Sequence, residues 1–341
     1  MNTAMLDDVS LIALLVAMGL YAAAFIAFAL DLARRSALVA DAATAAARQP
    51  SAVGATAARR GGTATIERDP ASSGRDRAAT GPDAPVAAGR SISLNVAMVL
   101  LVVGFVVHAV STVLRGLAAS RVPWANMYEF AMTGTLLILS VYLIVLTRRD
   151  LRFLGTFVTG LVLILLGVAV VQYRVEVAPL PPSLQSYWLV IHVFVAALGT
   201  GFFALAFALS GVQLLQFRRE SLAADAKAAK MRFLATLPDS VTLESMAYRL
   251  NIVGFIFWTF TLMAGAVWAE RAWGRYWGWD TKEVWTFIIW VLYAGYIHAR
   301  ATRGWRGSRS AWLAIIGFSA VMFNFGVVNV FFKGLHTYSG L

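Results

Sequence analysis

SLNVAMVLLVVGFVVHAVSTVLR, residues 93–115, contains no Asp, Glu, Lys or Arg before its final Arg115. A hydrocarbon layer about 30 Å thick is crossed by roughly 20 apolar residues of helix, so this run reads as a membrane span. Seven more runs of the same kind lie at about 9–33, 127–147, 153–172, 187–216, 248–268, 284–300 and 311–333. The composition agrees: of 341 residues 59% are hydrophobic and 14% charged, against about 25% charged in an ordinary soluble domain. Membrane β-barrels, the other spanning architecture, need short alternating segments that are absent here. The expected fold class is all-α, a polytopic membrane helical bundle of about eight transmembrane helices.

Charge orders these helices in space. The segments 34–92, 148–152, 217–249 and 300–310 hold nine, three, six and four basic residues, 22 of the 29 Lys and Arg. Under the positive-inside rule these face the cytoplasm. Both termini then lie outside, together with Arg115, Arg121, Arg174, Arg271, Arg275, Lys282 and Lys333. The net charge of +11 is thus a topology signal and not a nucleic-acid patch. The first run ends in Asp31, Arg34 and Arg35 and lacks a small-residue cleavage site, so 1–33 is expected to be a retained helix. Residues 34–92, rich in Ala, Arg, Gly, Thr and Ser, read as a disordered basic linker. The stretch 218–247 reads as a partly helical inner-face connector, and 93–341 as a seven-helix domain with an external tryptophan-rich loop at 268–284. The chain has no cysteine, which excludes thiol–disulfide exchange, iron–sulfur clusters and thiolate zinc sites within it.

Chemistry concentrates in that loop and in four histidines. Six of the 11 tryptophans fall in 268–290, around the core WGRYWGWD at 273–280. An interfacial aromatic belt scatters Trp and Tyr over many helix ends. Here they crowd beside Gly274 and Gly278, among Arg271, Arg275, Asp280 and Lys282, which suits a flat apolar ligand bearing carboxylates. The histidines are His108, His192, His298 and His336. An ionisable group within a span is costly and is a functional hypothesis by default. His192, early in the fifth span, and His336, just past the last, flank the aromatic platform on the outer face, where two neutral imidazoles form a ligand pair for a six-coordinate haem iron. His298 lies near the inner end of the seventh span.

The segment WAERAWGRYWGWDTKEVWTFIIWVLYAGYIHAR (268–300) resembles the tryptophan-rich WWD signature of the haem-handling proteins of cytochrome c maturation, in particular the CcsA/ResC subunit of System II (named CcsB in actinobacteria). LPPSLQSYWLVIHV (180–193), VPWANMYEF (122–130) and FGVVNVFFKGLHTYSG (325–340) extend the match over roughly 90–341. The resemblance implies that His192 and His336 are external haem ligands and that His298 binds haem within the membrane on its way out. It implies also that Trp273, Trp277, Trp279 and Asp280 cradle the exported haem. Thr281 departs from the family, which usually has proline there. Arg271, Arg275 and Lys282 are offered as propionate partners from charge and place alone. His108 is a candidate second ligand for the His298 haem, although it lies on the order of 20 Å above the inner end of its helix and His298 only a few ångströms above its own.

The implied activity is that of a membrane subunit of a System II cytochrome c synthase in the bacterial plasma membrane. It would hold haem b, as transported substrate, on the extracytoplasmic face for thioether attachment to an apocytochrome c Cys-X-X-Cys-His segment. Implied partners are a CcsB/ResB-type membrane subunit and, indirectly, a thioredoxin-like thiol reductant. No residue is assigned acid–base catalysis, Glu270, Asp280 and Glu283 included. A b-type haem electron-transfer protein is the alternative, and it requires His pairs at matched depths. A solute transporter requires broken helices and midplane charges, whereas the charges here fall almost wholly in loops.

Overall fold

A computed structural model describes residues 2–48, 91–222, 228–302 and 304–336. Eight long helices succeed one another: α1 (Thr3–Arg48), α2 (Ile92–Ala119), α3 (Met127–Leu146), α4 (Gly155–Gln172), α5 (Tyr187–Ser221), α6 (Ser240–Trp273), α7 (Thr281–Thr302) and α8 (Ser308–Phe323). A π-helical turn, Asn324–Val328, and a last turn, Asn329–Phe331, extend α8. No strand occurs among the described residues. Seven of the helices are long and apolar enough to cross a membrane. The remaining one, α7, has 22 residues, enough at about 1.5 Å each to span the hydrocarbon, and carries its charges, Lys282, Glu283 and Arg300, near its ends. The protein is a multi-pass helical membrane protein.

Local chemistry sets the helix ends. Asn126 caps α3 by accepting from the Glu129 N–H (2.9 Å), Ser186 caps α5 through Trp188 (3.2 Å), and Asp239 caps α6 through Thr242 (2.8 Å), each satisfying an otherwise orphaned amide. Ser91 caps α2 and also donates to Asp31, tying the start of α2 to α1. Several expected boundaries move; α6, for one, begins at Ser240 and not near 248. Residues 34–48, read as disordered linker, continue α1; their Ala-rich composition favours helix even without an apolar stripe. The rest of the linker, 49–90, lies outside the described residues. Residues 268–273, read as loop, are the last turns of α6.

Small residues let the helices approach. A Cβ on Gly104 would sit 2.8 Å from the Tyr21 ring, and one on Gly254 would sit 2.7 Å from Phe203. Such contacts replace the hydrophobic drive that lipid cannot supply between helices. The opposite faces of α1 and α2, with Ile12, Ile26, Val99 and Val113, are exposed and apolar, as lipid-facing surfaces are.

Charges do enter the bundle, at the opposite end through pairs such as Arg300–Glu244 and, in a larger cluster, at the end we call the cavity end. Arg115 of α2 and Glu129 of α3 are fully buried and pair Nε to Oε1 at 3.0 Å. Arg115 also reaches Asp7 of α1 and donates to the Val175 carbonyl at 2.9 Å. Arg121 closes on the other Glu129 oxygen at 2.6 Å. One guanidinium, that of Arg115, thus joins α2 to α1, α3 and the segment leading to α5, and these charges are exceptions to the expectation that charges lie almost wholly in loops. His108 is enclosed as well, its Nδ1 3.2 Å from the Tyr21 hydroxyl, so it serves the α1–α2 contact. Removing one member of a buried ion cluster strands the others, at about 3–5 kcal/mol. Glu129→Ala is expected to lower unfolding stability in detergent by that order, and Glu129→Gln by less.

Candidate functional site

A cavity with mostly apolar walls opens among α3, α5, α6, α7 and α8 where α5 begins and α6 ends. His192 and His336 both line it. His192 is the sixth residue of α5, and its Nδ1 lies 3.0 Å from the Thr261 carbonyl oxygen on α6. A carbonyl can only accept, so Nδ1 carries the proton and Nε2 keeps its lone pair. Gly265, one turn further on, leaves room for the ring: a Cβ there would fall 2.7 Å from His192 Cε1.

His336 follows α8, and its Nδ1 lies 2.7 Å from Asp280 Oδ2. A carboxylate oxygen also accepts, so this ring too is fixed with Nε2 free. The hydrogen bond from His336 holds the Asp280 carboxyl below its ordinary range. Asp280 Oδ1 accepts from the Leu335 N–H at 3.2 Å, and a Cβ on Gly334 would fall 2.1 Å from that oxygen. The tail is therefore laid directly on the carboxylate.

Trp268 joins the two imidazoles. Its indole stacks on His192, centroids 5.7 Å apart at 16°, and meets His336 edge-on at 5.3 Å. It is buried and donates Nε1–H to the Ser183 carbonyl at 3.0 Å. Trp273 braces His336 from another side at 4.9 Å. Trp277 and Tyr276 line the cavity.

Between α6 and α7 the chain turns through Gly274, whose φ of +71° ends α6 in the left-handed region that glycine tolerates. Glu283, in the first turn of α7, accepts from the N–H groups of Gly278 (2.8 Å) and Asp280 (3.1 Å) and shapes the turn. The Arg275 guanidinium occupies the space beside Gly278, where a Cβ would fall 0.8 Å from one of its nitrogens. Trp279 holds a φ of +60° and points outward, 76% exposed, touching Trp277 edge-on at 5.8 Å.

The structure thus brings together His192, His336, Asp280, Trp273 and Trp277 of the expected set. Trp279 stands outside the cavity. Neither Arg271, exposed and 3.5 Å from Glu270, nor Arg275 lines it; of the three basic residues offered as carboxylate partners only Lys282 does. His298 is exposed on α7 near the opposite end, and neither it nor His108 lines the cavity. Thr261, Gly265 and Trp268 were missed as site residues. Trp268 was one of the clustered tryptophans, while nothing local marks a carbonyl or a glycine as facing a histidine some 70 residues away.

The donor set suits haem. Two imidazole nitrogens with free lone pairs could serve as ligands to an iron already held by a porphyrin. Among the described residues no group of three or more His, Cys, Asp or Glu could hold a bare metal ion.

Fold and site define a class, a multi-pass helical membrane protein with two tautomer-fixed imidazoles in one aromatic cavity. A family model described as "Cytochrome C assembly protein" matches residues 124–336, and the chain belongs to that family. It is 36% identical to "Cytochrome c biogenesis protein CcsA" of Guillardia theta, over 67% of this chain and 80% of the relative. It is 30% identical to the protein of that name in Prochlorococcus marinus, over 73% and 86% respectively. A solved structure titled "Cytochrome c Heme Lyase CcmF" superposes with a TM-score of 0.59 at 15% identity. That match covers all of this chain and half of the CcmF chain, a likeness of fold.

The overlap at Gly278 gives a test. Gly278→Ala is expected to destabilise by about 1–3 kcal/mol through overpacking, and Arg275→Ala in the same chain to restore most of the loss. Thermal unfolding of the two variants and their combination measures the coupling.

Proposed function

We propose that this chain is the haem-handling membrane subunit of a System II cytochrome c synthase, holding haem b for thioether attachment to apocytochrome c. The observation that carries this is the pair His192 and His336, each with Nδ1 committed to a fixed acceptor and both packed on Trp268 in one cavity. Bound haem would supply the iron, as electrophilic centre for two imidazoles, and the vinyl groups that receive the apocytochrome thiols. What the protein contributes is position: a pose held long enough for thiol and vinyl to meet at high effective concentration. Apolar walls exclude water, and Trp268 packs against both rings.

The two ligands differ in kind. His192 is set in a helix against a backbone carbonyl, and His336 sits in a tail hydrogen-bonded to a carboxylate. The apocytochrome histidine would most readily displace His336, since freeing it moves only the tail. The excess of basic residues at the opposite end favours a cavity on the extracytoplasmic face of a bacterial plasma membrane. A CcsB/ResB-type subunit and a thioredoxin-like reductant complete the reading by resemblance. So does a role for His298 in receiving haem within the membrane, where its exposure leaves it accessible to a partner chain. The b-type electron-transfer alternative wants a second His pair, whereas His108 is buried against Tyr21 and His298 is exposed near the far end of α7.

Purified His192→Gly and His336→Gly variants are expected to lose the six-coordinate low-spin spectrum and regain it with added imidazole; unchanged haem binding and cytochrome c maturation in both would sink the assignment. Asp280→Asn keeps the ligand but weakens its orienting partner. It is expected to retain haem about 10–100-fold less well, read by haem loss to a competing apoprotein.

A further inference from the structure

We propose that Lys282 is the carboxylate-binding residue of the cavity, its ammonium pairing with a propionate of the bound porphyrin. This rests on the haem reading above and adds a substrate-orienting group that the histidines do not supply.

Among the described residues, Lys282 is the one Lys or Arg that lines the cavity. Its Nζ donates to the Asn324 carbonyl at 3.0 Å and to the Asn329 side-chain oxygen. Both acceptors are neutral, and both lie on the turns that extend α8, where the π-helical stretch Asn324–Val328 interrupts the regular pattern. π-turns of this kind recur at functional sites because they redirect backbone groups. No carboxylate of the described residues is within ion-pair distance of Lys282: Asp280 is bonded to His336 and the Leu335 amide. Glu283, the next residue in sequence, points about 100° round the helix; it also lines the cavity, and one of its oxygens is held by the Gly278 and Asp280 amides.

A buried ammonium whose hydrogen-bond partners are all neutral has no counter-ion in contact, Asp280 acting on it only from a distance, and burying a charge is costly unless it is paired. An apolar ligand that carries its own carboxylate repairs this on arrival. An ammonium has three donors; two are held by the asparagines, which aim the group and leave the third for the ligand. The pairing would also choose one edge of the porphyrin. With the propionates drawn to the start of α7, the opposite, vinyl-bearing edge faces away from Lys282.

The test compares iron protoporphyrin IX with its dimethyl ester on the purified full chain in detergent, for wild type, Lys282→Met and Lys282→Arg. Wild type is expected to prefer the free acid by about ten- to a hundredfold, as a charge-assisted hydrogen bond allows. Lys282→Met should bind both at the ester's affinity, and Lys282→Arg should keep part of the preference. Apo Lys282→Met should unfold no lower than wild type, because it removes an uncompensated charge; a structural lysine would instead cost stability. The assignment is overturned if Lys282→Met keeps the preference, if its apo form is destabilised while its selectivity is unchanged, or if wild type binds acid and ester equally. Equal binding leaves the haem reading standing. Wild type binding neither porphyrin overturns both. The wild-type comparison needs no variant, so it decides even if a substitution prevents folding.

Discussion

A backbone carbonyl on α6 and the Asp280 carboxylate each take the Nδ1–H of an imidazole, and the arrangement of the site depends on these two hydrogen bonds. Each fixes a tautomer, a ring orientation and a free Nε2. Without them a neutral histidine turns about its side-chain bonds and exchanges protons between its nitrogens, and no single ring geometry is held. The second bond also fastens the tail after α8 to the turn between α6 and α7, two segments about 55 residues apart. Trp268, buried and in contact with both rings, converts two separate orientations into one site.

The scaffold beneath meets two needs of a membrane protein. Within the bundle, glycines on α2 and α6 let helices touch where lipid offers no hydrophobic drive. At the cavity end, where loops must be positioned without a large soluble core, a buried ion cluster centred on Glu129 binds three helix ends and the segment leading to α5. That cluster draws on Asp7 of α1, so the first helix is part of the same bundle. The cost of burying these charges is met by their mutual pairing and by backbone carbonyls.

Electrostatics then separate the roles of the basic residues. Arg271 is in solvent beside a glutamate, Arg275 stiffens a turn by occupying the space beside Gly278, and Lys282 alone is turned into the cavity. Residues close in sequence, all of one charge, thus do three different things. The same holds for the tryptophans: Trp268 and Trp273 brace the histidines from α6, Trp277 lines the cavity, and Trp279 faces outward.

The sequence by itself determined the eight helices, because a span of about 20 apolar residues can satisfy its backbone in lipid only as a helix. It also singled out His192, His336 and the tryptophan cluster, since both residue types are rare and their chemistry is narrow. What only the tertiary structure decided was who faces whom: that Asp280 orients His336 and does not itself line the cavity, that Thr261 and Gly265 seat His192, that His108 bonds to Tyr21, and that α6 runs on to Trp273. These are contacts between residues up to 87 positions apart, set by helix rotation and crossing. Hydropathy constrains where a helix begins and ends far more tightly than which way each of its side chains points.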